Sequence, residues 1–229
     1  MNAKVLLAED DADLAFVIKD NLEEEGCQVT HCINGEAAVQ QFNRSEFDIC
    51  LLDVMMPLKD GFSVARKIRQ KNVWTPILFL SARSQEQDKL EGFKSGADDY
   101  ITKPFSMKEL LMRMDVFLRR SRKTHTTQYK EHQLGSLRFV RDSLKLYRGT
   151  ETISLTQRES DLLHFLCEHA NRVIRREEIL LNVWGKDDYF LGRSMDVFIT
   201  RLRKYFKNEP LVLLETIHGI GFRLNLREA

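Results

Sequence analysis

Cysteine is sparse and scattered in this chain: Cys27, Cys32, Cys50 and Cys167 form no CxxC pair. That spacing carries no dithiol or zinc-ribbon signature, and in a reducing compartment the four read as small core or half-buried residues. Histidine offers no ligand set either, since His31, His125, His132, His164 and His169 make no metal-spaced pair and read as surface or boundary residues. Long apolar runs are missing. Nothing approaches the roughly 18 uninterrupted apolar residues of a membrane span, and Met1-Asn2-Ala3-Lys4-Val5 has no signal-peptide pattern. The expectation is a cytoplasmic protein with no membrane partner. There is no internal repeat or low-complexity tract. Excess charge is absent too: the net charge is +1, which by itself points to no partner.

What is present is a chain of 229 residues, 43% hydrophobic, enough to build real cores in one large or two ordinary domains. Its charge is unevenly placed. Residues 1–120 hold 16 Lys and Arg against 20 Asp and Glu, net −4, and residues 121–229 hold 19 against 14, net +5. An acidic first half and a basic second half suggest two domains with different partners.

Up to residue 120, apolar strand-like runs alternate with helix-period segments at 14–25, 36–44, 62–70, 85–94 and 107–120, with Gly26, Gly35, Gly61, Gly96, Pro57, Pro76 and Pro104 between them. Strand–helix alternation predicts βαβ units and a parallel sheet, and five of each is the flavodoxin-like (βα)5 count of an α/β domain. Residues 121–133 read as a polar, charged linker. Residues 134–229 open with short β-like pieces. Thr156 with Glu159 then gives a capping box, followed by helices at 157–169, 176–183 and 193–206 and a hairpin with a Gly-rich tip. That is an α+β winged helix-turn-helix plan.

The chemistry sits where the strands of the first half end. Phe47–Asp53 delivers Asp53; Val5–Ala8 runs into Glu9, Asp10 and Asp11; Ile77–Leu80 runs into Ser81; Asp99–Thr102 delivers Lys103. Ligand sites of open parallel sheets form outside these carboxyl ends. Clustered acids repel and call for a hard cation such as Mg²⁺, held by Glu9, Asp10, Asp53 and the backbone carbonyl of Met55. A strand-end carboxylate is also a nucleophile toward a phosphoryl group. Ser81 can donate a hydrogen bond to a phosphoryl oxygen and Lys103 can place a charge on another. The alternative for any single acid is helix capping. Met55 and Met56 read as core side chains.

In the second half, a helix over 193–207 would bury Met195, Phe198, Ile199, Leu202 and Phe206 and expose Ser194, Val197, Thr200, Arg201 and Lys204. A small, basic exposed face on the last helix of a trio fits the major groove of double-stranded DNA. Arg201 suits a guanine and Val197 a thymine methyl, while Arg193, Thr200, Arg203 and Lys204 suit phosphates. His218 and Arg223 at the hairpin would reach the minor groove or backbone.

These residues match a known pattern. Leu7–Asp11, Leu51–Gly61, Leu80–Arg83 and Gly96–Phe105 resemble the receiver domain of bacterial response regulators. Leu155–Glu159, Val173–Gly185, Arg193–Lys204 and Ile217–Arg223 resemble the winged-helix effector domain of the OmpR/PhoB family. The resemblance implies phosphorylation of Asp53 by a sensor histidine kinase, Mg²⁺ at the acidic site and a cis Lys103–Pro104 peptide. It implies Ser81 and Tyr100 as switch residues. It implies a homodimer face carrying Lys89, Asp98, Asp99, Glu109, Arg113 and Arg120, with Lys89–Glu109 and Asp99–Arg120 pairing across a two-fold axis. It further implies binding to tandem half-sites, contact with RNA polymerase through Trp184–Gly192, and slow self-dephosphorylation of a protein that is otherwise no enzyme. Two positions depart from the pattern: His218 stands where arginine is frequent, and Phe198 where a polar residue is frequent.

A phosphohydrolase with a phospho-Asp53 intermediate is the rival. It would need a second aspartate two positions on, where Met55 stands. A regulator binding RNA or protein through the basic half is the other alternative.

Overall fold

The computed structural model of the chain describes the backbone of residues 2–82, 86–122, 131–185 and 189–227; the side chains of residues 86, 119–122 and 189–194 are outside that description. Arg83, the linker residues 123–130 and the side chains of Arg120, Arg193 and Ser194 therefore lie outside the described residues. The chain divides into two compact units, Met1–Thr126 and Thr127–Ala229.

The first unit alternates strand and helix: β1 (Lys4–Ala8), α1 (Ala12–Glu24), β2 (Gln28–Cys32), α2 (Gly35–Arg44), β3 (Ile49–Asp53), α3 (Gly61–Lys71), β4 (Ile77–Ser81), α4 (Glu86–Ser95), β5 (Asp99–Thr102) and α5 (Met107–Arg122). The sheet is parallel with order β2-β1-β3-β4-β5. Every residue of β3 and β4 is buried, as a sheet covered on both faces requires. Leu7, Leu51, Leu78 and Leu80 pack with Ile18 and Leu22 of α1 and Leu110, Met114 and Phe117 of α5. Chain order reverses between β1 and β3, so the crevice at their carboxyl ends is the switch point.

Side-chain caps start the helices. Asp11 accepts from the amides of Asp13 and Leu14, each at 3.0 Å, Asn34 from Ala37 and Asp60 from Ser63. Asp11 is thus a cap, and Glu9 and Asp10 remain for the site. Met56 is buried, whereas Met55 is 55% exposed, contrary to its expected place in the core. It stands on the tight turn after β3, where the Met55 amide is bonded back to Asp53.

The second unit begins with an antiparallel sheet ordered β6 (Glu131–Leu134), β7 (Leu137–Val140), β8 (Lys145–Arg148), β9 (Glu151–Ser154). Then come α6 (Gln157–Glu168), β10 (Ile174–Arg175), α7 (Arg176–Ile179), a π-helical turn at Leu180–Trp184, α8 (Tyr189–Phe206), β11 (Val212–Ile217) and β12 (Gly221–Leu226), with the last strands ordered β10-β12-β11. The Thr156–Glu159 capping box opens α6. Met195, Phe198, Ile199, Leu202 and Phe206 are all buried, as the helical spacing predicted.

Three boundaries differ from the sequence reading. Residues 121–122 belong to α5 and Glu131–Gln133 to β6, so the expected linker 121–133 is shorter. The segment Trp184–Gly192 is not all loop: Trp184 closes a π-helical turn and Tyr189–Gly192 is already α8. His164 is 4% exposed rather than at the surface, and its Nδ1 meets His132 Nε2 at 2.9 Å while its Nε2 faces Glu168 at 3.2 Å. All four cysteines are free and buried. Burial raises the Cys32 thiol to about 11 and the Cys50 thiol to about 12, and pushes the Cys167 thiol up as well.

Candidate functional site

The sheet register assembles the first site. Ala8 is level with Leu52, Asp53 with Leu80 and Ser81 with Thr102, so Glu9, Asp53, Ser81 and Lys103 all leave the sheet at one edge. Ligand atoms of Glu9, Asp10 and Asp53 lie within 4.8 Å of one another. Lys103 Nζ donates to Glu9 Oε1 at 2.9 Å and Oε2 at 2.7 Å, and to Asp53 Oδ2 at 2.6 Å. Asp53 Oδ1 accepts the Met55 amide at 2.9 Å. The Lys103–Pro104 peptide is cis, as expected.

The electrostatics are those of a crowded acidic pocket. Glu9 is fully buried, and that desolvation, helped by Asp53, lifts its carboxyl to about 7 against the opposing pull of Lys103. Burial draws the Lys103 ammonium down, but its hydrogen bonds to Asp53 and Glu9 outweigh this and raise it overall. Three hard oxygen donors this close suit a divalent cation of the Mg²⁺ kind, and softer metals gain nothing from them.

Two supports of the site were not legible as such in the sequence. His31 Nε2 is 2.8 Å from the Glu9 carbonyl, which ties β2 to the loop carrying Glu9. Gly61, read as a helix-boundary breaker, has a second reason to be glycine: a Cβ there would lie 2.2 Å from the Asp53 carbonyl oxygen. Only an alignment of contacts in space reveals that approach.

Around β5 the expected face is partly spent on the unit itself. Asp98 is fully buried, bonded to Arg69 at 2.6 Å and to the Ile77 amide at 3.0 Å, so it is a packing residue of β5 against α3 and no part of an exposed face. Asp99 and Glu109 both hold Arg113, each at 2.8 Å. Lys89 Nζ lies 6.0 Å from the centre of the Tyr100 ring. Tyr100 is 5% exposed and packs edge-on against Phe79, and Ser81 is fully buried.

In the second unit, Thr200 and Lys204 are exposed along α8 and Val197 is half-buried beside them. Arg203 is exposed but anchored on β11 through the Leu214 carbonyl and the Thr216 hydroxyl, both at 2.8 Å. Arg201 is half-buried, with Nη1 3.2 Å from Glu159 Oε1 and its guanidinium 5.6 Å from the centre of the Phe198 ring. At the hairpin, His218 is exposed and Arg223 pairs with Glu215 at 2.9 Å. Trp184 packs edge-on to Phe198 and beneath Arg158, which fits an anchoring part.

Comparison with known proteins agrees with this division. Residues 5–115 match the family described as response regulator receiver domain, and residues 149–224 the family described as transcriptional regulatory protein, C terminal. The chain is 42% identical over 221 residues to the transcriptional regulatory protein RprY of Bacteroides fragilis, covering 96% of this chain and 94% of the relative. Among solved structures, a mutant of RitR superposes with a TM-score of 0.74 at 25% identity over the whole of both chains. DrrB, a Thermotoga maritima OmpR/PhoB homologue, gives 0.52 at 29% identity over 98% of this chain and all of its own.

Proposed function

This chain belongs to the OmpR/PhoB family of two-component response regulators, and on that premise we propose that it carries a phosphoryl switch at Asp53 that governs DNA binding. It is a transcriptional regulator, and the rival phosphohydrolase lacks its second carboxylate, because Met55 stands two positions after Asp53.

A sensor histidine kinase supplies the phosphoryl group. The phosphorus–nitrogen bond of its phosphohistidine breaks as an Asp53 carboxylate oxygen bonds to phosphorus, leaving an acyl phosphate and the free histidine. Glu9, Asp10, Asp53 and the Met55 carbonyl would hold Mg²⁺, which supplies the charge neutralisation that lets two anions meet. Lys103, 2.6 Å from Asp53, is placed to move its charge onto a phosphoryl oxygen. Ser81 sits one residue past Leu80, the register partner of Asp53, and is placed to donate to the same group. Slow hydrolysis of the acyl phosphate resets the switch.

Ser81 and Tyr100 carry the signal to the surface of α4, β5 and α5, through which the phosphorylated chain forms a homodimer. Lys89, Asp99, Glu109, Arg113 and Arg120 are its charged members, and Asp98 acts from beneath through Arg69. Residues 134–229 then bind tandem half-sites of double-stranded DNA in the cytoplasm. Arg201 and Val197 read bases, while Arg193, Thr200, Arg203, Lys204, His218 and Arg223 contact the backbone. RNA polymerase is met through the segment around Trp184–Gly192.

The observation that carries this reading is the meeting of Glu9, Asp53 and Lys103, from three different strands, within hydrogen-bond distance. The test is to incubate the full chain with a small acyl-phosphate donor and Mg²⁺, then follow intact mass, sedimentation and duplex binding. One added phosphoryl group that disappears in Asp53→Ala, with a monomer-to-dimer shift and tighter DNA binding, is expected. An unmodified chain, or a modified one whose DNA affinity never changes, defeats it.

A further inference from the structure

Glu159 does more than start α6. Its Oε2 accepts the Thr156 amide at 3.0 Å, closing the capping box, and the Tyr205 hydroxyl lies 3.3 Å from the same oxygen. Its other oxygen, Oε1, is 3.2 Å from Nη1 of Arg201. The carboxylate is 2% exposed, so it gains little from solvent and is committed to these partners. Burial next to Glu159 raises the Tyr205 phenol, which keeps it a neutral donor rather than a competing anion. On its other side Arg201 covers the ring of Phe198, which is fully buried and rigidly packed. The guanidinium is therefore fixed at two points: a carboxylate on one edge and an aromatic face beneath.

From this geometry we propose that Glu159 is a positioning residue for sequence readout, aiming Arg201 of α8 at a base edge. The inference rests on the DNA-reading role given to Arg201. An arginine has several rotatable bonds, and a side chain already ordered before binding gives up less freedom when it docks. Bidentate recognition of guanine also needs the guanidinium plane in one orientation. Contact through Nη1 with a buried acceptor fixes that plane. Phe198, placed where the family often has a polar residue, supplies the apolar seat. Discrimination between bases then depends on a residue of another helix that touches no DNA.

The experiment uses the full chain and two probes: a duplex selected from a randomised pool by the wild-type protein, and a scrambled duplex of equal length. The readout is the ratio of the two affinities, with thermal melting as a check on folding. Glu159→Gln keeps an acceptor for the Thr156 amide but removes the charge that holds Arg201. Glu159→Asp keeps the charge on a stem too short to serve both partners. Each is expected to lower the ratio by about 3- to 10-fold, and neither to lower it further in an Arg201→Ala background. A capping role alone would shift melting and leave the ratio unchanged. A purely electrostatic role would raise both affinities together in Glu159→Gln and leave Glu159→Asp unaltered. Either result overturns the proposal, as does a Glu159→Gln protein that binds the selected duplex more selectively than wild type. If the wild-type chain enriches no sequence at all, the DNA-binding reading itself has failed, which is a different result from an unchanged ratio in the variants.

Discussion

Replacing Lys103 by methionine, which keeps the apolar stem and removes the ammonium, tests the electrostatic argument at its centre. Lys103 makes three contacts of 2.9 Å or less to two carboxylates, one of them fully buried. Removing one partner from such a group costs about 3–5 kcal/mol if the acids stay charged. Glu9 has an escape, because its carboxyl already titrates at about 7. A carboxyl raised in the folded state favours folding while it is protonated, so stability on its account falls as pH rises from the unfolded value of 4.5 to about 7. Without Lys103 that folded value climbs further, and the fall continues beyond pH 7 at up to about 1.4 kcal/mol per pH unit. The cost of Lys103→Met is therefore small near pH 5, approaches the full figure by pH 8 to 9, and shrinks when millimolar Mg²⁺ is present. Urea unfolding of the full chain, with the first unit's transition followed from pH 5 to 9, measures it. A cost that is flat across that range and indifferent to Mg²⁺ would falsify the assignment of Lys103 as counter-ion of Glu9 and Asp53.

Three further outcomes are expected. Gly61→Ala forces a methyl against the Asp53 carbonyl, 2.2 Å away before relaxation; about 2–4 kcal/mol of stability should be lost, with slower phosphorylation, and wild-type melting and rate would refute the close approach. Phe198→Ala empties a fully buried site and should cost about 3–5 kcal/mol, read as an earlier transition of the second unit by calorimetry, with the first unit's phosphorylation rate unchanged. Chelating divalent cations with EDTA should stop acyl-phosphate labelling of Asp53 and restore it on adding Mg²⁺; labelling that persists in EDTA means that Lys103 alone suffices.

The acidic site was legible because a parallel sheet sends every strand's carboxyl end to one edge. Asp53, Glu9, Ser81 and Lys103 could be collected from four separate runs without knowing a single distance. The helical face of Met195, Phe198, Ile199, Leu202 and Phe206 was legible for a similar reason, since period alone places it. What failed depends on contacts that sequence spacing does not encode. Asp98 looks like a surface acid beside Asp99, yet Arg69, 29 positions earlier in the chain, draws it inside. The pairing of Asp99 and Glu109 with Arg113 depends on how α5 lies against β5. The early start of α8 was hidden because the segment before Arg193 offered no cap residue that the reading recognised. His132 and His164 are 32 positions apart and found each other only when β6 packed on α6. The same limit hid Glu159, which was read as half of a local cap while its second oxygen served a residue 42 positions away.

The burial of Cys27, Cys32, Cys50 and Cys167 restricts which stimuli can act on this protein directly. Cys32 and Cys50, at about 11 and about 12, expose fewer than about one thiolate in a thousand at neutral pH. Peroxide and electrophiles attack the anion, so oxidative stress finds no ready target on the folded chain. Such stress would have to be sensed upstream and arrive as a phosphoryl group, leaving one chemical channel of input.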